Sequence, residues 1–238
     1  VPAFTAAALA LGNAAFAWWR LPESLPPERR GALVPRGFSV ARLRQAAALP
    51  GMAPLMAMYF LSIFAFATME ATFPLLTRDA FGFSEVQNGW TFAYIGVLVV
   101  IMQGGLVGRL ARRFGERRLV VAGGGLLAVG LAGLPLSPSV AAMAVVLLPL
   151  CAGSGLTNPS LTALISLTAA QDAQGETLGT AQALASLGRV LGPLWGGFAF
   201  GALGAAGSYG LAAALMLVVP VLMWCTSPGL SLRPDARG

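Results

Sequence analysis

Apolar runs of about twenty residues or more, each closed by a few polar or turn-forming residues, repeat along this 238-residue chain. They fall at about 52–77, 86–108, 118–136, 139–168, 174–203 and 206–227, and a shorter one occupies 1–19. A helix crosses the ~30 Å hydrocarbon core of a bilayer in about 20 residues. Strands of a membrane barrel alternate polar and apolar positions over about ten residues, and these runs are uniformly apolar. The pattern predicts an all-α membrane protein: a six-helix bundle in antiparallel hairpins, preceded by a partial helix.

Composition agrees with that class and removes others. The chain is 57% hydrophobic and 10% charged, against about 25% charged in soluble domains. A formal charge of +6 invites a nucleic-acid reading. The basic residues are all arginine, however, and thirteen of the fifteen fall in 20–50, 109–118 and 228–238. Clustering in the connections on one side of the spans is a topology signal, not a groove for phosphates. It directs those connections to the cytoplasm of a bacterial inner membrane, with lipid as the surrounding partner and no nucleic acid. Histidine is absent, and Cys151 and Cys225 lie singly in apolar runs, so neither a metal site nor a disulfide framework is expected.

The domain boundaries follow from the same pattern. Residues 1–20 end in Trp18-Trp19-Arg20 and read as the end of a spanning helix that starts upstream, since no basic n-region precedes the run. Residues 21–50, rich in proline and arginine, read as a cytoplasmic linker, with a short helical piece near 39–48 suited to the membrane surface. Residues 51–228 hold the bundle, and 229–238 form a cytoplasmic tail.

A partial span, a long basic linker and six spans with an arginine-rich turn after the second resemble the C-terminal half of a major facilitator superfamily transporter. Residues 108–118, GRLARRFGERR, are similar to that family's cytoplasmic loop signature, G-x-L-a-D-R-x-G-r-r. The similarity implies a gating role for Gly108, Arg109, Arg112, Arg113, Gly115, Arg117 and Arg118. Arg112 stands where the signature carries its acid, as in the weaker copy between helices eight and nine. Residues 188–197, GRVLGPLWGG, are similar to the antiporter motif G-x-x-x-G-P-x-x-G-G, through Gly188, Gly192, Pro193, Gly196 and Gly197. That motif marks helix five, whose symmetry mate is helix eleven, so an N-terminal half is the competing assignment. Against it stand the preceding helix and linker, and the lack of the family's helix-four arginine in 147–156. Leu21-Pro22-Glu23-Ser24, the basic loop and Gln174-Gly175 look most like the tetracycline-efflux and multidrug antiporter branch. The resemblance implies a proton gradient as energy source, no cofactor, a small-molecule substrate, no covalent catalysis, and an N-terminal half as partner.

Within the spans, few residues carry chemistry. Glu70 is the one carboxylate well inside an apolar run, about two turns from its outer end. An acid in hydrocarbon is costly and tends to face protein or water. It is the candidate for proton coupling; the other reading is a side chain that snorkels to the interface or holds a structural hydrogen bond. Tyr59, Phe66 and Phe73 share its helical stripe, and an aromatic face with one acid suits a bulky, even cationic, organic substrate. Arg189, on a stripe with Gln182 and Ser186, either binds an anionic group, pairs with a carboxylate, or satisfies carbonyls at a helix interface. Asn158-Pro159, after Gly153 and Gly155, marks either a broken helix that builds a site or a simple proline kink. Gln103 is read as an anchor of the basic loop. The glycines at 188, 192 and 196 lie four apart on one face, fitting tight packing or a sliding interface. The functional expectation is proton-coupled efflux of small organic molecules or drugs. An uptake permease for sugars, osmolytes or organic acids, and a non-transporting scaffold or sensor, are the alternatives.

Overall fold

A computed structural model describes residues 2–20, 44, 48–170 and 173–226. The chain divides into two units, Val1–Gly37 and Phe38–Gly238. In the first, α1 runs Pro2–Arg20. The linker expected at 21–50, with its short helical piece near 39–48, lies outside the described residues except at 44 and 48–50, and the tail at 229–238 lies wholly outside them.

In the second unit the order is α2 (Met52–Phe81), α3 (Glu85–Ile101), a wide turn (Met102–Leu106), α4 (Val107–Phe114), α5 (Glu116–Gly133), α6 (Val140–Thr168) and α7 (Gln174–Thr226). Among the described residues, five helical stretches are long and apolar enough to cross a membrane: Met52–Phe81, Glu85–Phe114, Glu116–Leu136, Val140–Thr168 and Gln174–Thr226. The last, 53 residues long, holds two legs. Gly204 leaves helical values at φ 69°, ψ −177°. Thr68 Oγ1 donates to the Gly192 carbonyl at 3.1 Å, and the Tyr209 hydroxyl donates to the Met69 carbonyl at 3.5 Å. Seventeen residues of straight helix would separate positions 192 and 209 by about 25 Å. Both reach adjacent residues of α2, so α7 folds back at Gly204, giving the two spans expected at 174–203 and 206–227.

Local signals explain the ends. Gly82 at φ 67° closes α2 with its amide on the Arg78 and Thr77 carbonyls. Ser84 opens α3 with a capping box: its hydroxyl accepts from the Gln87 amide at 3.4 Å and Gln87 Oε1 accepts from the Ser84 amide at 2.8 Å. Ser139 caps α6 through the Ala142 amide at 3.2 Å. One finding differs from the sequence pattern, and a second decides between the two readings of Asn158-Pro159. The basic loop is mostly helical, since α4 carries Arg109, Arg112 and Arg113 and only Gly115 (φ 80°) separates it from α5. The helix at Asn158-Pro159 is not broken: α6 continues through Pro149 and Pro159. The break falls instead at Gly104 and Gly105 (φ 129°) in the wide turn.

The core lies between α2, α5, α6 and α7. Met52, Met56, Met58 and Met69 are all buried in it, which selects core packing over lipid contact for these residues. Backbones approach closely where side chains are missing. A methyl group at Gly130 would stand 2.5 Å from Leu150 Cβ, so α5 and α6 meet there almost without side chains. On the other face, Gly124 of α5 faces Pro220 and Val219 of the second leg of α7. By contrast α3 buries only Asn88 and Ile95. It is held by the Thr77 hydroxyl on Asn88 Oδ1 at 2.6 Å, by the Phe73 and Phe92 rings in edge contact at 5.6 Å, and by the Tyr94 hydroxyl on the Ala144 carbonyl at 3.3 Å.

Candidate functional site

Because α3 leans on the bundle through so few side chains, a cavity of about 580 Å³ opens between it, α2 and α6. Phe66, Met69 and Glu70 of α2 form one wall, Phe92, Ile95, Gly96 and Val99 of α3 another, and Gln103, Ser154 and Asn158 the polar end. A second cavity of about 570 Å³ shares Gln103 and Asn158 and continues along Pro159, Thr162, Ala163 and Ser166 toward Leu178. Either volume suits a small organic molecule. Apolar walls with a few convergent polar groups are the general form of such sites.

The polar end is organised by hydrogen bonds. Buried Ser62 donates to Asn158 Oδ1 at 2.8 Å, and Asn158 Nδ2 donates to Ser154 Oγ at 3.3 Å. The Asn158 amide is thereby fixed between α2 and its own helix. One turn toward the start of α2, the Tyr59 hydroxyl donates to Gln182 Oε1 at 3.3 Å. Ser186 Oγ donates to the Gln182 carbonyl at 3.0 Å and accepts from Arg189 Nη2 at 3.3 Å. Pro193 has no amide to offer the Arg189 carbonyl, which leaves an acceptor on this face of α7.

Glu70 sits in a different setting from the one its sequence suggested. Its side chain is exposed on the cavity wall, not buried in the bundle, and makes no hydrogen bond or ion pair among the described residues. The helix also runs on to Phe81, which puts Glu70 about three turns from its end, not two. Phe66 lines the cavity beside it. Phe73 is fully buried and reaches the site only by packing against Phe92. Arg189 does not pair with Glu70. Gln103, read as an anchor for the basic loop, lines both cavities.

Residues that sequence reasoning passed over include Ser62, Ser154, Phe92 and Val99. Ser154 had a signal, standing four residues before Asn158 on one helical face. Ser62 lies three residues beyond Tyr59, a weaker one.

The antiporter-like stretch packs α7 against α2. A methyl group at Gly192 would stand 2.8 Å from both Ala67 Cβ and the Phe64 carbonyl oxygen; at Gly196 it would be 3.0 Å from the Thr68 oxygen, and at Gly188 3.3 Å from the Phe60 oxygen. Gly197 faces open space and Pro193 is exposed. Around α4, Val107, Leu110 and Ala111 pack with Met102, Leu119 and Leu156. Arg109, Arg112, Arg113 and Arg118 are exposed and Arg117 is half-buried. The Arg113 guanidinium lies 5.3 Å from the Phe114 ring centre. Gly108 sits one turn before Arg112, whose guanidinium passes close to it.

Similarity to known proteins points one way. Major facilitator superfamily domain-containing protein 10 of Bos taurus is 28% identical over 252 residues, covering 95% of this chain and 54% of that protein. The class C tetracycline resistance protein of Escherichia coli is 30% identical over 192 residues, covering 80% of this chain and 48% of that protein. Among solved structures, the human organic anion transporter MFSD10 (TETRAN) superposes with a TM-score of 0.77 at 25% identity, over 90% of this chain and 55% of that one. A mutant of the peptide transporter POT bound to alafosfalin gives 0.68 at 26% identity, over 80% and 43%. The chain thus spans about half the length of the curated relatives it matches. The Major Facilitator Superfamily profile itself matches residues 1–193 and 104–236. With its apolar helices, its cavity between α2, α3 and α6, and that match over nearly its whole length, the chain belongs to the Major Facilitator Superfamily.

Proposed function

We propose that this chain forms one bundle of a secondary active transporter that exports small organic molecules or drugs across a bacterial inner membrane, driven by the proton gradient. The observation that carries the reading is the open cavity with Glu70 on an aromatic wall opposite Gln103 and Asn158. Transporters of this type place their sites near the bilayer midplane and rock two bundles about them. A second bundle facing the cavity, from an N-terminal half of the same transporter or another copy, completes the pathway. Glu70 is the proton-carrying group: no other carboxylate lies well inside an apolar span, and histidine is absent. Uptake of organic acids by the same fold is distinguished by the direction of transport alone.

The full-length transporter, reconstituted in vesicles with an imposed pH gradient, tests the coupling. Dye or drug movement should follow the gradient, and Glu70→Gln should abolish that response while the protein still inserts. Gradient-driven movement that survives in the variant removes Glu70 from the mechanism; movement indifferent to the gradient in the parent removes the proton. The orientation is tested separately with Gly115→Cys in intact cells. Labelling by an impermeant maleimide from outside would reverse the proposed topology.

A further inference from the structure

The two cavities of the site meet at one place, and the packing of α3 on α6 fixes where. A methyl group on Gly155 would stand 2.9 Å from Met102 Cβ, so the two helices cross in close approach there. Earlier on both helices, the Tyr94 hydroxyl donates to the Ala144 carbonyl at 3.3 Å. α3 and α6 therefore run in the same direction. Phe92 to Val99 of the first cavity lie before the crossing, and Thr162 to Ser166 of the second lie beyond it. The lining common to both is Gln103 and Asn158. Gln103 follows Met102 directly, and Asn158 stands one turn after Gly155 on the same helical face.

Local structure gives this junction one fixed side and one adaptable side. The Asn158 amide is held by Ser62 at 2.8 Å and by Ser154 at 3.3 Å. Gln103 has the longer stem, and directly behind it the backbone leaves helical values at Gly104 and Gly105. A methyl group on either glycine would meet nothing within 4 Å, so the chain has room to shift there. Past the junction α6 continues a polar line, since Ser154, Asn158, Thr162 and Ser166 recur at steps of four on one face. Among the described residues the lining of the second cavity is uncharged. Gln174 Nε2 donates to the Ser166 carbonyl at 3.2 Å, which brings the start of α7 to the far end of that line. This is the end that the arginine clustering directs to the cytoplasm.

We propose that the two cavities are successive chambers of one passage, with Gln103 and Asn158 as its narrowing and the second chamber as an entry site for the hydrogen-bonding groups of the cargo. The Asn158 amide is the standing edge and Gln103 the side that yields. A molecule arriving from the cytoplasmic end meets the hydroxyl and amide groups of α6 first. It reaches Glu70 and the aromatic wall only after passing this pair. The order has a physical reason: polar groups leave water at little cost only where new hydrogen bonds replace the old ones. This inference rests on the transport reading above and adds to it an entry site and the residue pair that controls passage.

Accessibility labelling of the full-length transporter in inside-out membrane vesicles tests the passage, with an impermeant trimethylammonium methanethiosulfonate as the probe. One cysteine is placed in a cysteine-free background, either Thr162→Cys in the second chamber or Gly96→Cys in the first, where an added side chain meets nothing within 4 Å. Adding Gln103→Trp should slow labelling at Gly96→Cys tenfold or more and change labelling at Thr162→Cys less than twofold. Adding Gln103→Ala should speed labelling at Gly96→Cys threefold or more, again sparing Thr162→Cys. A folding defect moves both positions together, so parallel changes at the two sites overturn the narrowing. An unchanged rate at Gly96→Cys with both position-103 variants overturns it as well, and no labelling at either cysteine in the parent overturns the continuous passage. Labelling needs access to water and not turnover. The expected pattern in a protein that moves no dye along a pH gradient therefore removes the transport reading alone. Gradient-driven movement with Gly96→Cys indifferent to position 103 removes the passage alone.

Discussion

The contact between α2 and the first leg of α7 gives a sharp test because it compares two glycines of one motif. A methyl group at Gly192 would lie 2.8 Å from Ala67 Cβ, 2.8 Å from the Phe64 carbonyl oxygen and 3.0 Å from the Thr68 amide nitrogen. Two of these three neighbours are backbone and cannot rotate away. Restoring ordinary contact, near 3.4 Å, requires the helices to part by about 0.6 Å. The Thr68 to Gly192 hydrogen bond, now 3.1 Å, would stretch to about 3.7 Å and be lost. Overpacking of this kind costs about 1–3 kcal/mol, and a membrane hydrogen bond averages about 0.6 kcal/mol. Gly192→Ala should thus destabilise the bundle by about 0.6–2.8 kcal/mol once the ~0.8–1 kcal/mol helix-propensity gain of alanine is subtracted. Gly197→Ala, five residues on in the same motif with nothing within 4 Å, should be neutral or stabilise by up to about 1 kcal/mol. Reversible unfolding in mixed micelles, followed by tryptophan fluorescence, measures both. Equal stabilities for the two variants, within about 0.5 kcal/mol, would refute the close-approach argument.

Other sites give independent checks. Gly204 adopts φ 69°, ψ −177°, a region open essentially to glycine alone; Gly204→Ala should cost about 1–3 kcal/mol in the same unfolding assay, while Gly201→Ala, which meets nothing, should not. Thr77→Val removes the 2.6 Å bond that secures Asn88 and should cost about 0.6–1.7 kcal/mol. Hydrogen exchange should speed up in α3 before any other helix; uniform acceleration across the bundle would contradict the view that α3 is held by few contacts.

The spans were legible because hydrophobicity in a lipid-facing bundle is nearly uniform along each helix, so length alone reports them. The turn at 204–205 was also readable, and Gly204 shows why: a positive φ ends the leg where the apolar run is briefly all small residues. Charge misled at Val107–Phe114, where arginines on one face of a continuous helix look like loop if periodicity is ignored. The glycine break at 104–105 was hidden because glycine is common inside membrane helices and most of them, such as Gly123 and Gly130, remain helical. In the site, spacing placed Tyr59, Phe66 and Glu70 along one stripe but also swept in Phe73. Position 73 turns just far enough from Glu70 to meet Phe92 instead of the opening. Helical spacing fixes angles about one axis; which angle is covered depends on neighbours that the spacing does not name.

The wide turn before α4 works as an angular spacer. The Val107 amide bonds the Met102 carbonyl, five residues back where a regular helix would reach four. The departure of Gly104 and Gly105 from helical backbone values resets the direction and phase of everything beyond them. That phase is what aims Val107, Leu110 and Ala111 at Leu119 and Leu156 while the guanidinium groups fan outward. Excising Gly105 alone would carry the cationic side of α4 inward against oily neighbours, so the length of this short glycine stretch, as much as its composition, keeps positive charge in water.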